Sequence, residues 1–158
     1  MTFACVLYNV ENDGMRSRLP LLLLLVLFGC ALTPVKRPWK LELTTGGGFT
    51  GQGLGSITLD SGGAIHVKTP FRGECDSRAT ATELASYEAL LAKARPKTWR
   101  ESYMPENRCC DRVDFHLTLT IVDRSWKTEW MPPEPMPKDL TALGDELGKM
   151  MRAHACAR

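Results

Sequence analysis

The chain has 158 residues, with 20 Lys and Arg against 18 Asp and Glu, so its net charge is +2. That length fits one domain or at most two, and it is enough to bury a core. The near balance of charge argues against a nucleic-acid protein, which would usually show a basic face or tail; four Trp, five Phe and three Tyr argue against wholesale disorder, and thirteen Gly with ten Pro argue for a loop-rich domain over a helical bundle.

The first element in chain order is an address. Met15-Arg16-Ser17-Arg18 is basic, and Leu19 to Phe28 is a ten-residue apolar stretch. A bilayer-spanning helix needs about 20 residues, so this stretch is too short to span and has the length of a signal-peptide core. A buried core helix would carry caps and polar positions, and this run has neither. Leu27-Phe28-Gly29-Cys30 resembles a bacterial lipobox. Gly29 is the small residue a peptidase subsite takes, and the thiol of Cys30 is the group to be lipidated. Phe28 is bulkier than the usual occupant of its position. Residues 1–14 fit the address badly, because Glu11 and Asp13 put acid where base is wanted. They read as a mis-called extension, with the true start at Met15. The expected organisation is therefore a signal peptide at 15–29, Cys30 and a tether at 30–38, and one domain at 39–158. Cleavage before Cys30 removes two Arg and two acids, and the net charge stays +2. Ala31, where an Asp would retain a lipoprotein at the inner membrane, resembles an outer-membrane sorting signal. The location implied is the bacterial cell envelope, lipid-anchored, facing the periplasm. The lipid on Cys30 is covalent, and no other cofactor is expected.

Trp39 to Thr44 alternates and predicts a strand. Gly46 to Gly55 then holds six glycines in ten residues. It is not a dinucleotide fingerprint, because a strand and not a helix follows. It reads either as a wide hairpin connection or as a presented loop with Phe49 as an anchor. Ser56-Ile57-Thr58-Leu59 and Ala64 to Lys68 form a hairpin around the turn Asp60-Ser61-Gly62-Gly63. Residues 71–79 read as a loop carrying Cys75. Thr80-Ala81-Thr82-Glu83 is a capping box, Leu84, Tyr87, Leu90, Leu91 and Ala94 follow at helical spacing, and Pro96 stops the helix. Lys97 to Arg112 reads as irregular. Val113, Phe115, Leu117, Leu119 and Ile121 alternate with polar residues and predict a strand with one buried face. Trp126 to Trp130 pairs back along it. The prolines of Met131 to Pro137 forbid regular structure. Leu140, Leu143, Leu147, Met150 and Met151 mark a second amphipathic helix, weakened by Gly144 and Gly148. The fold class expected is α+β: an antiparallel sheet of four to five strands in two hairpins, with two helices packed on one face.

Of six cysteines, Cys5 precedes the expected start and Cys30 is the lipid site. The remaining Cys75, Cys109, Cys110 and Cys156 are disulfide candidates. A bond between the adjacent Cys109 and Cys110 would be strained. Cys75 is therefore expected to pair with one of them and Cys156 with the other. Metal-bound thiols are the alternative, but there is no CxxC spacing, and His66, His116 and His154 are scattered, so no metal site is expected. His116 reads as an exposed or half-buried surface residue, and Trp126 and Trp130 as sheet packing. No triad, carboxylate pair or metal motif points to an enzyme.

Gly47-Gly48-Phe49-Thr50-Gly51 after a first strand, a hairpin, the helix with Glu83-Leu84-Ala85, the strand Asp114 to Thr120 and a last helix after Pro137-Lys138-Asp139-Leu140 together resemble the emfourin family. These are small bacterial inhibitors of thermolysin-like metalloproteases. The resemblance covers Trp39 to Met151 and is most specific at the GGFxG segment. It implies a protein partner, a secreted metalloprotease, whose cleft the inhibitor occupies with no chemistry of its own. It also implies that Gly47, Gly48, Phe49, Thr50 and Gly51 contact the partner or shape the loop. The cysteines and the lipoprotein address depart from the family pattern. The alternative is an envelope structural or assembly lipoprotein with no protease target.

Overall fold

The computed structural model describes residues 37–107 and 111–156. The expected extension, signal peptide, lipid site Cys30 and most of the tether lie outside the described residues, as do Cys109 and Cys110.

The sheet is built around the two most apolar strands. β1 (Trp39–Gly47) and β6 (Val113–Ile121) pair antiparallel along their whole length, setting Leu41 against Leu119 and Leu43 against Leu117. Because side chains alternate between faces, this register puts all four leucines on one side, each at most 1% exposed. β2 (Ser56–Asp60) adds Ile57 and Leu59, and β3 (Ala64–Thr69) adds Ile65 and Val67, in the same two rows. β7 (Arg124–Trp130) returns from β6 with Trp126 and Trp130 on that face. The opposite face is polar and, among the described residues, uncovered by helix, with His66, Thr58, Glu42, Thr118 and Lys127 across its middle.

Helix α1 (Ala81–Lys93) starts where the capping box predicts: Thr80 Oγ1 accepts from the Glu83 N–H, and Glu83 Oε2 accepts from the Thr80 N–H. It buries Tyr87 and half-buries Leu84, Leu90 and Leu91. Helix α2 (Lys138–Ala153) is the main cover, burying Leu140, Leu143, Leu147, Met150 and Met151. Each such side chain contributes about 1.5–3 kcal/mol relative to exposure. Both helices join the one core formed by the apolar sheet face. Gly144 has a packing reason: the Trp130 ring, stacked on Phe115 at 5.2 Å, lies where a side chain would be.

Among the described residues the α+β class and the two helices are as expected, but the sheet is larger and is mixed. There it has seven strands in the order β4-β3-β2-β1-β6-β7-β5. The extra β4 (Gly73–Arg78) occupies the segment read as a loop, and β5 (Ser102–Tyr103) the segment read as irregular. β4 has no apolar alternation, since it is an edge strand that places only Cys75 and Ser77 toward the helices. β5 is a two-residue strand parallel to the end of β7. A disulfide forms between two of the expected candidates, but not in the expected pairing. Cys75 bonds Cys156, 81 residues away, across a Cα–Cα distance of 5.7 Å. Helix α2 crosses the sheet from Trp130 on β7 and delivers its C-terminus to β4, which brings these two cysteines together. Helix α2 is thus stapled to the edge strand, and neither cysteine is free for Cys109 or Cys110.

Candidate functional site

Antiparallel pairing sends β1 and β3 toward one end of the sheet and starts β2, β4 and β6 there. The glycine-rich segment 48–55 and the β3–β4 turn 70–72 share that end. So do three of the four exposed large apolar residues among the described ones: Phe49 (90%), Phe71 (83%) and Leu54 (49%). The fourth, Val122, is in the β6–β7 turn at the other end.

The glycine segment is held by its own hydrogen bonds. Gly48 N–H donates to Arg112 O at 2.9 Å, Gly51 N–H to Gly48 O at 3.0 Å, and Gly53 N–H to Gly47 O at 2.9 Å. Thr45 closes the base. Its hydroxyl donates to Gly55 O (2.8 Å) and accepts from the N–H groups of Leu54 (2.7 Å) and Gly55 (2.9 Å). That uses the donor and both lone pairs of the hydroxyl. Gly53 and Gly47 show why the segment needs glycine. Gly53 has φ +63°, and a Cβ there would lie 2.7 Å from Thr45 Oγ1. Gly47 has φ +70°, with Asp114 Oδ1 at 3.2 Å from the same construction. Left-handed φ disfavours any residue with a Cβ. Of the residues singled out in the sequence, Gly47 and Gly48 therefore shape the loop. Phe49, Thr50 and Gly51 are at its exposed tip. Phe49 does not fold back on the sheet.

Beside this loop runs a groove of about 380 Å³, lined on one side by Gly53 and Leu54, on another by Thr69 to Arg72, and on the third by Met151, Arg152 and Ala155 of the α2 C-terminal end. No local pattern in the chain marks it, because it joins three segments distant in sequence.

The end of α2 is tied down by a second constellation. His154 Nε2 lies 3.2 Å from Glu83 Oε1, and His154 Nδ1 lies 2.9 Å from Ser77 Oγ. A carboxylate only accepts, which places a proton on Nε2; the Ser77 hydroxyl then donates to Nδ1 when the ring is neutral. Hydrogen bonds from the Thr80 N–H and hydroxyl, and then from His154, hold the Glu83 carboxyl below the usual carboxylate range. Serine, histidine and glutamate in this order are the parts of a nucleophilic relay. Here they join β4, the first turn of α1 and the last turn of α2, next to the Cys75–Cys156 bond. Sequence separations of 71 and 77 residues hid the group from the sequence.

His116 lies on the open face between Asp114 Oδ2 (3.1 Å) and Glu129 Oε2 (3.5 Å). The Ser102 hydroxyl donates to Glu129 Oε1 and not to the histidine. Among the described residues no three His, Cys, Asp or Glu side chains are placed to hold a metal ion. Among them also, no helix is long and apolar enough to cross a membrane. No protein-family model and no curated protein matches the chain. The likeness to emfourins therefore rests on the residue pattern alone.

Proposed function

We propose that this protein is a lipid-anchored, extracytoplasmic protein-binding domain that inhibits a thermolysin-like metalloprotease by seating its glycine loop in the protease cleft. The observation that carries the reading is Phe49: a large aromatic side chain 90% exposed, on a loop whose backbone is closed by the Thr45 and Arg112 contacts. A preordered loop loses little conformational freedom on binding, and an exposed aromatic held out by such a loop is suited to fill a pocket. The chain enters the domain at Trp39, where Pro38 O accepts from the Val122 N–H, and reaches the loop at Gly47. Eight strand steps separate those points by ~26 Å, so the loop is at the end of the sheet opposite the entry of the chain.

The test uses the full chain, produced in an oxidising compartment, against a panel of thermolysin-like proteases with a serine protease as control. Selective inhibition is expected. Burying one Phe contributes about 1.5–3 kcal/mol, so Phe49→Ala should weaken inhibition roughly 10- to 150-fold. A folded protein that inhibits none of the panel refutes the inhibitor reading and favours the envelope-assembly role; equal inhibition by Phe49→Ala removes Phe49 as the anchor.

A further inference from the structure

The groove beside the glycine loop has a definite chemistry. Its walls are apolar, with Leu54, Phe71 and Met151 in them. Among the described residues its only charged lining groups are Arg72 and Arg152, and no Asp or Glu lines it. Both guanidiniums are on exposed residues, and among the described residues neither takes part in an ion pair. A pocket this size holds one large apolar side chain with room for a neighbour. Two unneutralised guanidiniums favour carboxylates, which they can grip with paired hydrogen bonds.

One wall depends on the covalent link. Arg152 and Ala155 belong to the stretch that ends at Cys156, and Cys156 is bonded to Cys75 on β4. The same stretch holds His154, with its contacts to Ser77 and Glu83. Without the disulfide, the burial of Met150 and Met151 would still hold the last turn of α2, but residues 154 to 156 beyond it would keep only those two side-chain contacts and the helix's own hydrogen bonds.

We infer that the groove takes an extended protein segment in which a large apolar side chain is flanked by carboxylates, and that the Cys75–Cys156 bond holds the groove in its binding shape. The inference rests on the protein-binding reading of this end of the sheet and adds the chemistry of the partner. An anionic lipid shares that chemistry. The protein source is favoured because the groove is at the end of the sheet opposite the entry of the chain.

The experiment selects a random seven-residue peptide library on the full-length oxidised protein. The expected result is enrichment of an aromatic or large aliphatic residue flanked by Asp or Glu. Affinity of the selected peptides should fall at least tenfold in Arg72→Gln/Arg152→Gln, fall with added salt, and fall at least tenfold on reduction with dithiothreitol. Both substitutions are on exposed side chains, and circular dichroism checks that the variant and the reduced protein keep their fold. Peptides without acidic enrichment, no selected peptide at all, or equal affinity for the double variant overturns the groove. Equal affinity after reduction overturns the role of the disulfide. Pelleting with phosphatidylcholine–phosphatidylserine vesicles is compared between wild type and double variant, so that the lipid anchor cancels. Wild-type binding in excess, with no acidic peptide selected, assigns the groove to lipid and overturns the proposal. The readings are separable. Acidic peptides lost in the double variant, with no protease inhibited, keep the groove and refute the inhibitor. Inhibition lost in Phe49→Ala, with no acidic peptide selected, does the reverse.

Discussion

Helix α2 contains two interior glycines whose replacement by alanine should have opposite effects. In an exposed helix interior, Gly→Ala stabilises by about 1 kcal/mol, because glycine loses the most backbone freedom on folding. Gly148 meets that condition: a Cβ there would find only Arg152 Nη1, at 3.6 Å, which is ordinary contact with the end of a flexible side chain. Gly144 does not. Its Cβ would lie 2.8 Å from Trp130 Cζ2 and 3.3 Å from Cη2. The ring is buried and stacked on Phe115 at 5.2 Å with only 6° between the planes, so it cannot recoil without pushing a second ring. Overpacking of this kind costs about 1–3 kcal/mol. Set against the gain of about 1 kcal/mol from the backbone, Gly144→Ala should be destabilised by roughly 0–2 kcal/mol. The two variants should therefore differ by about 1–3 kcal/mol, with Gly148→Ala above wild type. Urea unfolding of the oxidised protein measures both, and thermal midpoints should separate by about 3–5 °C per kcal/mol. Equal stabilisation by both substitutions would refute the account of Gly144 as the seat of the Trp130 ring.

Further outcomes follow from the loop base and the α2 tie. Thr45→Val keeps the shape of the side chain but leaves the N–H groups of Leu54 and Gly55 without their acceptor. A cost of about 1–3 kcal/mol and faster amide exchange at those two residues are expected, and unchanged exchange would show that the hydroxyl does not hold the loop. The Glu83 carboxyl titrates below its ordinary value in the folded protein. Its contribution is therefore complete above the unfolded value, about 4.3, and is lost as pH falls through the folded value. Between pH 7 and pH 3 wild type should lose more stability than Glu83→Gln; parallel losses in urea midpoints would contradict the Thr80–Glu83–His154 linkage. Reduction of the oxidised protein should raise amide exchange in β4 and the last turn of α2 while sparing Thr45 to Gly55. Uniform acceleration across the sheet would mean that the disulfide holds up the whole fold and not this corner of it.

What the sequence made legible was whatever one segment decides by itself. The alternation from Val113 to Ile121 gave β6 and its buried face, and Thr80 with Glu83 gave the start of α1 because a capping box is satisfied within four residues. The glycine segment was legible as unusual, and Phe49 as its one aromatic. The missed features all depend on a partner far along the chain. Gly73-Glu74-Cys75-Asp76-Ser77-Arg78 has no apolar pattern, since an edge strand is fixed by the ladder of its neighbour β3. Ser102 and Tyr103 are a strand only because the end of β7 lies beside them. The adjacency of Cys109 and Cys110 pointed the pairing argument toward them, whereas the path of α2 across the sheet decides which thiols meet. Thr45 carried no mark in sequence beyond standing one residue before the glycines.

The edge strand explains why a covalent bond sits where it does. β4 buries no side chain outright; Cys75 and Ser77, its inward residues between exposed neighbours, are only half-buried. The rows of leucine, isoleucine and valine that fix β1, β2, β3 and β6 end one strand short of it. What joins β4 to the helical layer is the disulfide and the Ser77–His154–Glu83 contacts. An edge fixed by side-chain bonds rather than by burial is the part of a domain that opens at least cost. The glycine loop is held differently, through Thr45 on β1 and Arg112 just before β6, beside the two central strands. The two surfaces at this end of the sheet therefore depend differently on the fold: the Phe49 loop on the core, the arginine-flanked groove on that loop through Gly53 and Leu54 and also on the edge and its disulfide. A change of redox state or of pH at the edge can reach the groove while leaving the loop in place.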